Sequence, residues 1–126
     1  MTTPFQDVID FHKKFGLPIG ATPEWPREKI MNLRKELLDE ELVEFFSAEM
    51  EGDLANWAAE IVDVIYILIG TAVSAGIDLG PIWAAIHDSN MQKMARPGGH
   101  KPIKPIGWQA PNIEALLQKQ SSSTSD

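Results

Sequence analysis

Apolar residues recur at steps of three and four along most of the chain, and no stretch alternates long enough to read as a strand. Thr3-Pro4 reads as an N-cap followed by proline at the first helical position, which opens a helix running to about Phe15. Gly16 to Trp25 holds two prolines and two glycines and reads as a loop. Pro26 can start a second helix, through Met50, ending in a Glu51-Gly52-Asp53 turn. Asp53 then caps a third helix to about Ser74, and Gly80-Pro81 opens a fourth from Ile82 to about Met94. Residues 95–111 carry four prolines and three glycines and read as a long irregular loop. A short helix follows over Asn112–Lys119, and residues 120–126 read as a disordered tail.

Short connections between the second, third and fourth helices make them antiparallel neighbours, so the expected fold is an all-α bundle in one domain over residues 1–119. The third helix is apolar nearly all round, with Ala58, Ala59, Ile61, Val62, Val64, Ile65, Tyr66, Ile67, Leu68 and Ile69. Such a helix needs cover on several sides. One short chain has few helices to offer, so a second copy is expected to supply some.

Composition narrows the function. The 126 residues carry a net charge of −7, which disfavours binding to a nucleic-acid backbone or through a basic amphipathic anchor. Cysteine is absent, which removes thiolate metal sites and cysteine nucleophiles. The N-terminal residues lack a signal-peptide pattern, and the apolar run Ile61–Val73 is short and broken by Asp63, so no membrane association and a cytoplasmic location are expected.

The charge is also unevenly placed. Glu36, Asp39, Glu40, Glu41, Glu44, Glu49, Glu51, Asp53, Glu60 and Asp63 fall within 28 residues that contain no Lys or Arg. The remaining residues set eleven basic side chains against eight acids. Glu60 and Asp63 stand at i, i+3 inside the apolar third helix, where burying like charges requires a neutralising group. On the second helix Ile30, Leu33, Leu37, Glu41 and Glu44 trace one stripe, with Glu40 at its edge. Glu44 lies eight residues before Gly52 and Glu60 eight after, so an antiparallel pair would bring the carboxylates face to face. Four or five facing carboxylates suit a hard cation, Mg²⁺ first and Mn²⁺ as a substitute. No Glu is followed three positions later by His, which argues against a di-iron bundle, and there is no P-loop.

Glu41-x-x-Glu44 followed by Glu60-x-x-Asp63 resembles the all-α nucleoside triphosphate pyrophosphohydrolase superfamily. That superfamily takes in MazG-like proteins, dimeric dUTPases and phosphoribosyl-ATP pyrophosphohydrolase. Phe11-His12-Lys13-Lys14-Phe15-Gly16, Asn90-Met91-Gln92-Lys93 and Lys104-Pro105-Ile106-Gly107-Trp108 extend the resemblance, the last towards the dUTP-hydrolysing MazG-like branch. The resemblance implies four main helices in an intertwined homodimer, with dimers able to pair further. It implies cleavage of a nucleoside triphosphate, dUTP or another non-canonical deoxynucleotide, to the monophosphate and pyrophosphate. Glu41, Glu44, Glu60 and Asp63 would hold the metal, and Glu40 would act as base on the attacking water. Asn90, Lys93, Lys104 and Trp108 would contact substrate. Gln6, His12 and Asn32 have side chains able to read a base edge, and any of the four tryptophans could stack on one, although Trp57 and Trp83 suit the core better. The competing readings are phosphoribosyl-ATP hydrolysis and a non-catalytic, metal-stabilised helical dimer.

Overall fold

The computed structural model describes residues 2–122. Three helices make the first of two compact units, which ends at Ile77. Helix α1 spans Pro4–Phe15; Thr3 caps it by accepting from the Gln6 amide at 3.1 Å, and Gly16 closes it in a left-handed conformation. Helix α2 spans Glu28–Glu51, two residues later than Pro26 alone suggests, and no side chain caps its start. Helix α3 spans Leu54–Ser74, and the Asp53 carboxylate accepts from the Asn56 amide at 3.0 Å. Only Gly52 and Asp53 separate α2 from α3, so the two must fold back antiparallel, and they pack along their length. Helix α1 lies against α3.

The core of this unit gathers Val8, Ala48, Ile69, Val73 and Ala75. Phe11 meets Tyr66 edge-on at 5.4 Å, and Phe45 stacks on Trp57 at 5.8 Å. The loop after α1 is sewn to the end of α3 by Gly20 N–H to the Val73 carbonyl and Glu24 N–H to the Ala75 carbonyl, both at 3.0 Å. Ser74 Oγ donates to the Pro18 carbonyl beside them.

The second unit starts at Asp78. Helix α4 spans Leu79–Met91, three residues earlier than Ile82, because Asp78 rather than Gly80 is its cap and accepts from the Gly80 amide. The stretch expected to be wholly irregular contains a small hairpin, β1 (Met94–Arg96) against β2 (His100–Ile103), turned at Pro97-Gly98-Gly99. Strands of three and four residues are too short to show an alternating pattern, which is why the sequence hides them. Helix α5 spans Ile113–Ser122. It therefore takes in residues 120–122 of the expected tail, and the rest of that tail lies outside the described residues. The Gln120 amide secures it by bonding both the N–H and the carbonyl of Asp78 at 2.9 Å.

Apart from the hairpin the described chain is all-α, as the periodicity indicates. By length and composition α3 could cross a bilayer. Its cap at Asp53 contributes a stability that can be measured: Asp53→Ala should cost about 1 kcal/mol in a chemical denaturation experiment. An unchanged midpoint would show that the turn, and not the cap, fixes the start of α3.

Candidate metal centre

The face that α2 turns inward is not quite the one its apolar residues suggest. Ile30, Leu37 and Glu41 of the expected stripe are half-buried and Leu33 and Glu44 are exposed, while the series Arg34, Leu38, Glu41, Phe45 and Ala48 is buried or half-buried throughout, at steps of four and three. On α3 the matching series is Trp57, Glu60, Val64, Ile67, Thr71 and Ser74. Glu41 belongs to both readings of α2, so the expected carboxylate contact forms even though the stripe is rotated by about one residue.

Glu41, Glu60 and Asp63 each present an oxygen within 4.8 Å of the others. Glu60 lies deepest, at 5% exposure, Glu41 is half-buried, and Asp63 opens to solvent. One oxygen of Glu41 and one of Glu60 are buried without any hydrogen-bond donor. The Glu60 carboxyl is raised from its ordinary 4.5 to about 7. A hydrogen bond to Glu41 is the first cause, then burial, then a hydrogen bond to Glu44 and repulsion from both neighbours. Glu44 thus touches the cluster from an exposed position, and Glu40 is exposed on α2 beside Glu41.

Orphaned, closely spaced carboxylate oxygens with no basic group among them are a donor set that fits a hard divalent cation. Binding would replace the proton on Glu60 and supply partners to both stranded oxygens.

The remaining candidates separate sharply. Trp108 donates its indole N–H to the Ser89 carbonyl at 2.8 Å, which ties residues 104–108 to α4. The Lys93 and Lys104 ammonium groups lie 5.3 and 4.9 Å from the Trp108 ring, and neither pairs with a carboxylate among the described residues. Asn90 is exposed on α4. His12, a candidate base reader, is instead 2% exposed, with Nδ1 bonded to the Pro18 carbonyl. Trp83, expected in the core, is 67% exposed, while Trp57 is half-buried with its indole N–H unpartnered. Asn32 helps line an open surface cleft with Glu28, Lys29, Leu33 and Glu36, and Trp25 stands almost free in solvent. Sequence reasoning missed Arg34, buried two turns before Glu41, because a lone arginine in a charged helix reads as surface.

The raised Glu60 value has a thermodynamic consequence. A carboxyl whose folded pKa exceeds its unfolded one favours folding when protonated. Its contribution is complete below the unfolded value of 4.5 and is lost as pH rises through about 7. Metal-free protein in EDTA should therefore lose thermal stability across that window, and Glu60→Gln should flatten the loss. An equally steep fall in the variant would assign it to another group.

No curated protein matches the chain. Residues 8–90, which carry all four motif acids, the whole of α2 and α3, and most of α1 and α4, match the family described as phosphoribosyl-ATP pyrophosphohydrolase. The chain belongs to that family of MazG-like all-α pyrophosphohydrolases, hydrolases that act on phosphoric anhydrides.

Proposed function

We propose that this chain hydrolyses a nucleoside triphosphate, dUTP or another non-canonical deoxynucleotide, to the monophosphate and pyrophosphate. The observation that carries the reading is the pair of stranded oxygens on Glu41 and Glu60 beside Asp63, on a scaffold of this family. In the reaction, water adds to the α-phosphorus, the bond from that phosphorus to the bridging oxygen breaks, and pyrophosphate leaves. Glu41, Glu44, Glu60 and Asp63 hold Mg²⁺, with Mn²⁺ as a substitute. When bound, the cation offsets phosphate charge and makes water a better nucleophile. Glu40, solvent-exposed next to Glu41, accepts the proton of the attacking water.

Asn90, Lys93, Lys104 and Trp108 serve the substrate. Two ammonium groups resting on one indole, without carboxylate partners, are free to take phosphate oxygens. The protein acts as a homodimer in the cytoplasm. Support for the dimer comes from Val43, Phe46 and Met50 on α2 and Leu54, Val62, Ile65 and Leu68 on α3, all at least 49% exposed. So much apolar surface on two adjoining helices calls for cover.

A second substrate reading is favoured directly by the family match. Phosphoribosyl-ATP carries the same triphosphate, and the same bond breaks to release pyrophosphate.

Pyrophosphate release should be followed with dUTP, dTTP, dCTP, UTP, ATP and phosphoribosyl-ATP in Mg²⁺, with EDTA as control. Turnover of one or two deoxynucleotides, abolished by EDTA, is the expected result. Turnover of phosphoribosyl-ATP alone would replace the first reading with the second, and silence on every compound would leave a non-catalytic dimer. Glu40→Gln should lower kcat by about a hundredfold or more while sparing Mn²⁺ affinity; unchanged kcat would remove Glu40 from its role. The elution volume in size-exclusion chromatography should correspond to two chains, and a monomer would refute the dimer.

A further inference from the structure

Arg34 is a guanidinium buried with no acid beside it. It is 7% exposed, and among the described residues no carboxylate pairs with it. Its Nε donates to Thr71 Oγ1 at 3.1 Å and its Nη2 to the Ile67 carbonyl at 2.8 Å. Thr71 Oγ1 donates to the same carbonyl at 2.9 Å, so side chain and backbone close a small network on α3. A buried, unpaired charge is costly, and an apolar side chain would fill the same stripe at less expense. The position therefore has work beyond filling space.

The surroundings are cut to fit this side chain. A Cβ on Gly70 would collide with Arg34 Nη2 and come within 2.9 Å of His12 Nε2. Glycine is what lets the guanidinium lie flat across α3. His12 lies on the other side of Gly70, and burial lowers its imidazole pKa, against the hydrogen bond to the Pro18 carbonyl and with the Arg34 charge. Its Nδ1 is committed to the Pro18 carbonyl.

The location along the helices supplies the purpose. Arg34 precedes Glu41 by seven residues on α2, and Ile67 follows Glu60 by seven on α3. In an antiparallel pair both rungs are thus two turns apart, about 10 Å. A slide of α2 along α3 by one residue would move Glu41 about 1.5 Å past Glu60. Small hard cations such as Mg²⁺ require oxygen distances held far more closely than that. A bond to the main-chain carbonyl of α3 resists such a slide directly, because no side-chain rotation on α3 can absorb it.

We propose that Arg34 is a positioning residue for the carboxylate centre: seated over Gly70 and bonded to Ile67 and Thr71, it fixes the axial register that keeps Glu41 opposite Glu60. This rests on the metal-site reading above, and its test separates the two. Mn²⁺ binding is measured by titration calorimetry on wild type, Arg34→Met, Arg34→Lys and Thr71→Val, with Val8→Ala as a control for lost stability. Arg34→Met and Arg34→Lys should each weaken Mn²⁺ binding roughly tenfold or more, and Thr71→Val less but in the same direction. Val8→Ala should lower the melting temperature and leave Mn²⁺ affinity unchanged.

Charge alone makes the opposite forecast. Removing a nearby cation in Arg34→Met would tighten Mn²⁺ binding, and Arg34→Lys would behave as wild type. Either result, or wild-type affinity in folded Arg34→Lys and Thr71→Val, overturns the proposal. The Lys and Val variants decide the matter where Arg34→Met does not fold. Wild-type protein that binds no Mn²⁺ would sink the metal-site reading itself, and the proposal with it.

Discussion

Two facing carboxylates inside a helix pair set the terms for the rest of the first unit. Glu41 and Glu60 sit at the centre of the α2–α3 contact, where ordinary bundles place leucine. Leaving both charged there would set like charges against each other in a partly desolvated seam. The protein relieves this in one way on its own, by holding a proton on Glu60 up to about pH 7. A divalent cation offers a second way that also satisfies the stranded oxygens. These two states compete for the same atoms, so protons and metal ions are linked through folding as well as through activity.

The inward and outward faces of α2 and α3 are unusual as a pair. Arg34, Glu41, Glu60, Thr71 and Ser74 lie buried or half-buried between helices, whereas Val43, Phe46, Met50, Val62, Ile65 and Leu68 point to solvent. These polar groups share the seam with Leu38, Phe45, Ala48, Trp57, Val64 and Ile67, yet the apolar residues on the outer faces exceed what a free single unit leaves bare. The arrangement makes sense where the polar seam is a working surface and the apolar one is an interface. In the dimer proposed above the hydrophobic effect would act on the outer faces as well as on the core, with hydrogen bonds setting the register of the seam.

Much of the fold is legible in the sequence because its boundaries are chemical. Thr3-Pro4, Gly16, Gly52 and Asp53 each satisfy or release a specific backbone group, so the ends of α1 and α3 and the turn between α2 and α3 can be placed from residue type alone. The start of α4 is ambiguous in the sequence because Asp78 is as good a cap as the Gly80-Pro81 pair is a start. The inward face of α2 is ambiguous for another reason. Apolar residues stand at Ile30, Met31, Leu33, Leu37, Leu38, Leu42, Val43, Phe45 and Phe46, so several stripes satisfy the same periodicity. The approach of the carboxylates is legible regardless, since Glu41 lies on both candidate stripes and Glu60 interrupts an apolar helix.

Arg34 shows where reading a chain by residue class stops. Nothing local marks it as buried; its neighbours Asn32, Leu33, Lys35 and Glu36 are all exposed. Its place is decided by an absent side chain thirty-six residues away, at Gly70, and by a carbonyl that every sequence possesses. Long-range steric permission of this kind leaves no periodic trace. It also explains why a positive charge can be tolerated in the seam at all. The charge is held by oriented dipoles on Ile67 and Thr71, two turns from the carboxylate cluster, where a counter-acid would have added one more carboxylate to a pair of helices already crowded with them.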